Sequence, residues 1–285
     1  MKKQLLIKNP SVQSLILLLL SMSGYCLGGE PYDLFSCVDA NKRWDYKTQS
    51  CIQTKKWQVL PDSLRPVLDR PLSINELNQA KKEMGLFSEH TISQQEAPHA
   101  IILIGTAGSG KSSLVPFLGK WLEGYHKKNY VHFDGDILRN HHKGYNDISS
   151  IETIVYKDAW LVAKPHFASM KMSILDEITE QQRNIIIPTG VHGPRYFNIL
   201  KRSGYHITVI GVYVDYETAL YRGKNRAEWT GRTYTGGFDH WQTGLKHMLS
   251  LSKEPSDTPT IFIDNTDFDS PQVIRPEEIE SQVEQ

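Results

Sequence analysis

The sequence predicts an α/β fold, a doubly wound parallel sheet of five strands with a small N-terminal appendage. Three observations lead there. Five short β-rich runs are apolar throughout instead of alternating: Ala100 to Ile104 (AIILI), Tyr130 to Phe133 (YVHF), Asn184 to Ile187 (NIII), Ile207 to Val214 (ITVIGVYV) and Ile261 to Ile263 (IFI). Continuous apolar runs mark strands covered on both faces, as in a parallel sheet. Helix-length segments separate them, and a glycine-rich loop joins the first strand to its helix.

Taken in order, the chain opens with the parts of a secretory signal peptide over 1–28. Lys2, Lys3 and Lys8 form a basic start, Leu15 to Leu20 an apolar stretch, and Ser21, Ser23, Gly24, Gly28 and Gly29 supply small residues for cleavage. The apolar stretch is short of the roughly 20 residues that a spanning helix needs. Tyr25 before Cys26 argues against a lipoprotein signal.

Residues 29–72 are expected to be a polar, cysteine-bearing appendage that ends in a linker broken by Pro61, Pro66 and Pro71. Cys37 and Cys51 are an even pair in a chain expected to be exported, which suggests a disulfide; two free thiols are the alternative. Closing a loop of about 15 residues stabilises by roughly 3 kcal/mol in the chain-entropy model. No His stands with them at zinc spacing.

The main domain is expected over 73–268. Ser73 can cap a helix with Glu76 three residues on, and Gly85 stops it. Further helices are expected over Ser112 to Glu123, Ile151 to Gln182 and Pro194 to Ser203, and Pro116 should kink the first of these. Residues 269–285, rich in Pro, Glu and Gln, read as a flexible tail.

Composition narrows the partners. With 32 basic and 32 acidic residues in 285 the formal net charge is zero, so no global field draws the chain to nucleic acid or an anionic membrane. Mean hydropathy of −0.41 excludes a polytopic membrane protein. An anion must be held by a local site.

That site is legible in GTAGSGKS, which places Gly105, Gly110, Lys111 and Ser112 at the fixed positions of G-x-x-x-x-G-K-[ST] between a strand and a helix. Backbone N–H groups from Gly105, Thr106, Ala107, Gly108, Ser109, Gly110, Lys111, Ser112 and Ser113 can converge on phosphate oxygens, aided by the positive end of the helix. In such a loop the lysine reaches the β- and γ-phosphates of ATP and the serine hydroxyl ligates Mg²⁺.

A second group lies in VHFDGDILR, where a strand ends at Asp134 and Asp136 follows. In an open parallel sheet both would face the crevice beyond the strand ends. Asp136 is the candidate base that positions and deprotonates a hydroxyl acceptor, and Asp134 a metal or orienting contact. D-G-D is also turn chemistry, with Asp136 capping a helix. A third group, YRGKNRAEWTGRTY, carries Arg222, Lys224, Arg226 and Arg232 between the fourth and fifth strands. Arg226 and Arg232 are the candidates for clamping a transferring phosphate, with Arg222 on the preceding helix.

These pieces in this order resemble the zeta-toxin family of P-loop kinases: GSGKS, a strand ending in DGDILR, a long helical insert, NIIIPTG and an Arg-x₃-Arg-x₅-Arg lid, from about residue 75 to 268. The resemblance implies a P-loop kinase sheet and transfer of the ATP γ-phosphate to a hydroxyl of UDP-N-acetylglucosamine. It assigns the nucleotide loop to Lys111 and Ser112, the base to Asp136 and the clamp to Arg226 and Arg232. Thr189 and Gly190 fall near the acceptor. Glu152, Asp158, Glu177 and Glu180 are candidates for holding the sugar, whereas His141, His142, His166 and His192 read as surface or core groups. The leader and the appendage depart from the usual cytoplasmic toxin, and no antitoxin partner is evident in the chain.

The expected function is an exported ATP-dependent kinase acting on a nucleotide sugar in a target cell's cytosol, without stable membrane association after signal cleavage. The alternatives are a kinase for an antibiotic, nucleoside or protein hydroxyl, and a non-catalytic nucleotide-binding module.

Overall fold

A computed structural model describes residues 31–45, 48, 50–87, 97–126, 130–151, 153–157, 159–190, 192–230, 237–252, 258–267 and 271–283, with side chains except those of 31–33, 120–126, 228–230 and 252. The leader over 1–28, Glu152, Asp158 and Arg232 lie outside the described residues.

Six strands form the main sheet: β4 (His99–Ile104), β5 (Tyr130–His132), β7 (Asn184–Thr189), β8 (His206–Tyr213), β9 (Thr260–Asp264) and β10 (Gln272–Ile274). Their order is β10-β9-β8-β4-β7-β5, and all neighbours are parallel except β10, which runs antiparallel to β9. The five expected strands are the five parallel ones.

Why their sequences are apolar without alternation shows in the packing. Ala100, Ile102 and Ile104 join one buried cluster, and Ile101 and Leu103 join another, so successive residues of β4 feed cores on opposite faces. The first core is closed by α3 (Ile74–Glu83), α7 (Ala159–Glu180), α8 (Gly193–Arg202), α10 (Phe238–Ser252) and α11 (Pro276–Val283). The second is closed by α4 (Lys111–His126) through Leu114, Val115 and Leu118. That helix continues through Pro116. At α3 the expected capping box is present, with Ser73 and Glu76 bonded reciprocally. Gly85, at φ 86°, ends the turn that follows.

The N-terminal segment folds as α1 (Pro31–Asp39) on a hairpin of β1 (Lys42–Asp45) and β2 (Ser50–Gln53), with Cys37 and Cys51 joined as a disulfide whose Cα atoms are 5.4 Å apart. The next strand, β3 (Lys56–Val59), leaves this module and pairs in parallel with β6 (Ile154–Lys157).

Two expectations about flexible segments are corrected. The proline-rich stretch expected as a linker forms α2 (Arg65–Leu68), and Leu60, Leu68 and Leu72 are buried. Leu60 and Leu68 pack on α6 (Lys143–Ser149) through Tyr145 and Ile148. The segment expected as a flexible tail instead forms β10 and α11, because Ile279 is buried in the main core and Ile274 and Val283 pack against it. Spaced apolar residues in a Glu-rich run are the signal that composition alone hid.

Candidate active site

The phosphate loop leaves β4 at Gly105 and enters α4 at Lys111. Three of its residues require glycine, Gly110 through a φ of 80°. At Gly108, φ is 85°, and a Cβ would also lie 2.7 Å from the Ala219 carbonyl oxygen. Gly105 has no room for one, since a Cβ there would meet the Val212 carbonyl oxygen at 2.4 Å.

Buried polar groups fix the back of the loop. Asn265 Nδ2 donates to the Ser109 carbonyl at 2.8 Å. Arg222 on α9 (Tyr216–Thr230) donates to the carbonyls of Asn265 at 2.8 Å, Thr266 at 2.9 Å and Gly108 at 3.4 Å. Arg222 is thus a buried strut between α9, the end of β9 and the loop.

Lys111 folds its ammonium onto the loop, donating to the carbonyls of Gly105 (2.9 Å) and Thr106 (2.5 Å) and to Ser109 Oγ (3.2 Å). Burial, and next the charge of Arg226, push its pKa down to about 7, against the pull of Asp134. Ser112 Oγ donates to Asp134 Oδ2 at 3.4 Å. Ser113 Oγ donates to the Gly110 carbonyl at 2.6 Å, a local bond within the turn.

Asp134 follows β5 and caps α5 (Gly135–His141), accepting from the Asp136 N–H at 2.9 Å. The capping role that turn chemistry allowed Asp136 therefore belongs to Asp134. Asp136, freed from it, stands in the first turn of α5 and accepts from Arg139 Nη1 at 3.0 Å and from Arg226 Nη2. Arg139 is buried, its guanidinium carbon 5.2 Å from the centre of the Trp160 ring and 5.7 Å from that of Tyr145. Arg226 is the more exposed of the two guanidiniums, with 46% of its side chain accessible.

These groups line one cavity of about 640 Å³, in which the loop, Asp134, Asp136 and Arg226 face each other. It is in the crevice beyond the carboxyl ends of β4 and β5, on either side of β7, where an open sheet of this order binds its ligands. Arg139, the arginine of the DGDILR run, also lines it, as do Glu83, His132, Asn140 and Asn225, which were not singled out from sequence. They come from α3, β5, α5 and α9, and no local motif links them.

Other candidates fall elsewhere. Lys224 is exposed, its ammonium 5.4 Å from the centre of the Tyr221 ring. Glu177 pairs with Lys81 at 2.5 Å, tying α7 to α3, and Glu180 is exposed; neither lines the cavity. His142 is buried and accepts from the Tyr145 N–H at 3.0 Å, His141 pairs with Glu83, and His166 with Asp69 at 2.9 Å. These three are structural, as expected. Thr189 is buried at the end of β7.

The oxygens of Ser112 and Asp134 are a donor set of the kind Mg²⁺ takes, a hydroxyl and a carboxylate beside a phosphate site. Among the described residues no group of three or more His, Cys, Asp or Glu side chains forms a metal cage.

Comparison with known proteins agrees with this geometry. The family model described as zeta toxin matches residues 85–246, more than half of the chain. No curated protein matches it. Among solved structures, the PezAT chromosomal toxin-antitoxin system of Streptococcus pneumoniae is 18% identical with a TM-score of 0.51, covering 72% of this chain and 82% of that one. The AvrRxo1-ORF1:AvrRxo1-ORF2 structure with sulphate ions is 12% identical with a TM-score of 0.51, covering 78% of this chain and 71% of that one. The same complex solved with ATP gives 12% identity, a TM-score of 0.50 and the same coverages. Both likenesses are to two-component assemblies, which point to an antitoxin partner and correct the expectation that none is evident. Glycine-rich loop, paired aspartates and arginine helix all lie within the matched residues, and the chain belongs to the zeta toxin family of P-loop phosphotransferases.

Proposed function

We propose that the chain transfers the γ-phosphate of ATP to a hydroxyl of a nucleotide sugar of the UDP-N-acetylglucosamine kind, and that it is exported and acts as a toxin. The observation that carries the reading is Asp136 facing the phosphate loop across one cavity, with Arg226 on its carboxylate. The loop amides and Lys111 bind the nucleotide phosphates, and Ser112 and Asp134 hold Mg²⁺, which when bound neutralises charge on the phosphates. Asp136 accepts the proton of the acceptor hydroxyl while the hydroxyl oxygen bonds to the γ-phosphorus and the bond from that phosphorus to the β-phosphate oxygen breaks, releasing ADP. Arg226 moves from Asp136 to the transferring phosphoryl group. Arg232 is assigned to the same clamp by its place in the family motif.

Support for ATP comes from the ATP-bound neighbour of the same fold. Support for export comes from the basic, apolar and small-residue series of the first 28 residues and from a disulfide, which persists outside the cytosol. Among the described residues no helix is long and apolar enough to cross a membrane. The two-component relatives suggest that a second protein restrains this one where it is made.

An acceptor screen tests the reading with γ-labelled ATP, Mg²⁺ and UDP-N-acetylglucosamine among other hydroxyl compounds, with Lys111→Ala as control. Label on the UDP-sugar that disappears in the control establishes the reaction. Label on an antibiotic, nucleoside or protein keeps the kinase and replaces the acceptor, while nucleotide binding without turnover leaves a binding module.

A further inference from the structure

The disulfide module sits on the helix that carries the arginines. On α9, Tyr221 and Asn225 are one turn apart and face the module, while Arg222 and Arg226, also one turn apart, face the phosphate loop and Asp136. The Trp44 N–H donates to Asn225 Oδ1 at 2.8 Å, and Asn225 Nδ2 donates to the Trp44 carbonyl at 3.1 Å. Asn225 is only 2% exposed, so both bonds are buried. One turn back, Tyr221 Oη donates to Asp39 Oδ1 at 2.7 Å, and its ring is 4.6 Å from that of Phe35, centre to centre.

Among the described residues the module's own apolar core is small. Its buried cluster is Leu34, Cys37 and Trp44, with Phe35 and Val38 packed on it. Cys51 is the ladder partner of Trp44, so the disulfide ties α1 to the hairpin directly across from the residue whose backbone grips Asn225. A cluster of this size cannot order some twenty residues without a cross-link.

We propose that the module is a brace for the phosphoryl-transfer site, in which the Cys37–Cys51 disulfide holds Trp44, Trp44 and Asn225 hold α9, and α9 aims Arg226. Trp44 and Asn225 are positioning residues in this scheme, and the scheme rests on Arg226 serving the transfer. Activity then depends on the redox state of the chain. A dithiol reductant opens the disulfide by two thiol–disulfide exchanges, leaving Cys37 and Cys51 as thiols and the reductant as a disulfide. With the cross-link gone, α9 keeps its anchor at Arg222 and loses the one at Asn225.

The test uses the full chain, purified oxidised, and measures turnover of ATP with UDP-N-acetylglucosamine, ADP affinity by calorimetry and hydrogen exchange. Cys37→Ser/Cys51→Ser and Asn225→Ala should each lower kcat about ten- to a hundredfold, the cost of a small misplacement near the chemistry. ADP affinity should hold, and the triple variant should be no worse than the more impaired parent, since both changes release one brace. Amides of α9 should exchange faster in both while those of β4 and β8 stay protected. Wild type should lose kcat in dithiothreitol and regain it on reoxidation. Unchanged kcat in the cysteine variant, losses that multiply, or ADP binding lost in step with turnover would each overturn the brace. If oxidised wild type transfers nothing, the kinase reading fails separately and exchange decides: faster α9 amides in the cysteine variant support the brace, and unchanged ones refute it.

Discussion

Arg226 on α9 and Asp136 on α5 are bonded across the cavity, and Arg139 holds the other oxygen of the same carboxylate at 3.0 Å. The two arginines differ in kind. Arg139 is buried and wedged by Trp160 and Tyr145, so it orients Asp136 permanently. Arg226 is half accessible and can change partner.

Asp136→Asn removes the proton acceptor and keeps the shape. It leaves the loop, Lys111 and Asp134 intact, so ATP should bind as in wild type. The rate of transfer should fall by about 10²- to 10⁴-fold, the usual worth of a positioned base. Calorimetric ATP affinity beside single-turnover rates checks both halves. A variant that transfers at the wild-type rate would remove Asp136 from the chemistry.

Arg226→Ala should slow transfer by about a thousandfold or more, within the range for an arginine that stabilises the transferring phosphoryl group. Arg226→Lys should rescue little, because an ammonium cannot reproduce the planar fork. The comparison that matters is kcat against KM for ATP: loss confined to kcat marks a contact made in the transition state. Loss confined to KM would make Arg226 a simple nucleotide contact.

What could be read from sequence divides along a physical line. The phosphate loop was legible because backbone geometry, glycine and the lysine-serine pair all sit within eight residues. Asp136 and Arg226 were legible because each lies on the helix that follows a strand, β5 or β8, whose place in the sheet follows from the apolar runs. Arg139 stood in the quoted DGDILR without an assigned role, since its role depends on Trp160 and Tyr145, which reach it from α7 and α6. Glu83 was missed because α3 brings it to the site from far along the chain, and Asn225, beside Arg226 on α9, because its partner Trp44 is far away in the disulfide module. The edge strand β10 was missed because three residues between Pro271 and Arg275 carry little signal.

Lys111 should make nucleotide binding depend on pH. Its pKa is pushed down to about 7 by burial, while phosphate anions in the loop favour the charged form. Binding therefore takes up a proton whenever the free chain has lost it, which is the range above about 7. ADP affinity should fall as pH rises from 7 toward the ordinary lysine value of 10.5, and should not change on this account below 7. Calorimetry in buffers of different ionisation enthalpy should show proton uptake at pH 8 that Lys111→Ala abolishes. Uptake of equal size in that variant would assign the proton to another group.

Acid sensitivity should centre on Glu76, which joins three parts of the structure. Its carboxylate accepts two bonds from Arg70 at 2.7 Å each, the Ser73 N–H at 2.6 Å and the Lys143 N–H at 2.8 Å. It thus ties the proline-rich segment to α3 and to the start of α6. The Arg70 bonds, more than any other cause, hold its pKa well below the ordinary 4.5, and burial opposes them. A carboxylate depressed in the folded state contributes stability that is fully present above the unfolded value and is lost as pH falls below it. The contribution should be complete above pH 4.5 and decline below it. Glu76→Gln keeps the shape and part of the cap but removes the charge. At pH 7 it should cost about 2 kcal/mol, the scale of hydrogen bonds to a charged group. Denaturant melts across pH 7 to 3 should show the variant and wild type converging as the medium becomes acid. A gap that stays constant with pH would mean that Glu76 acts by packing alone and that its charge contributes nothing.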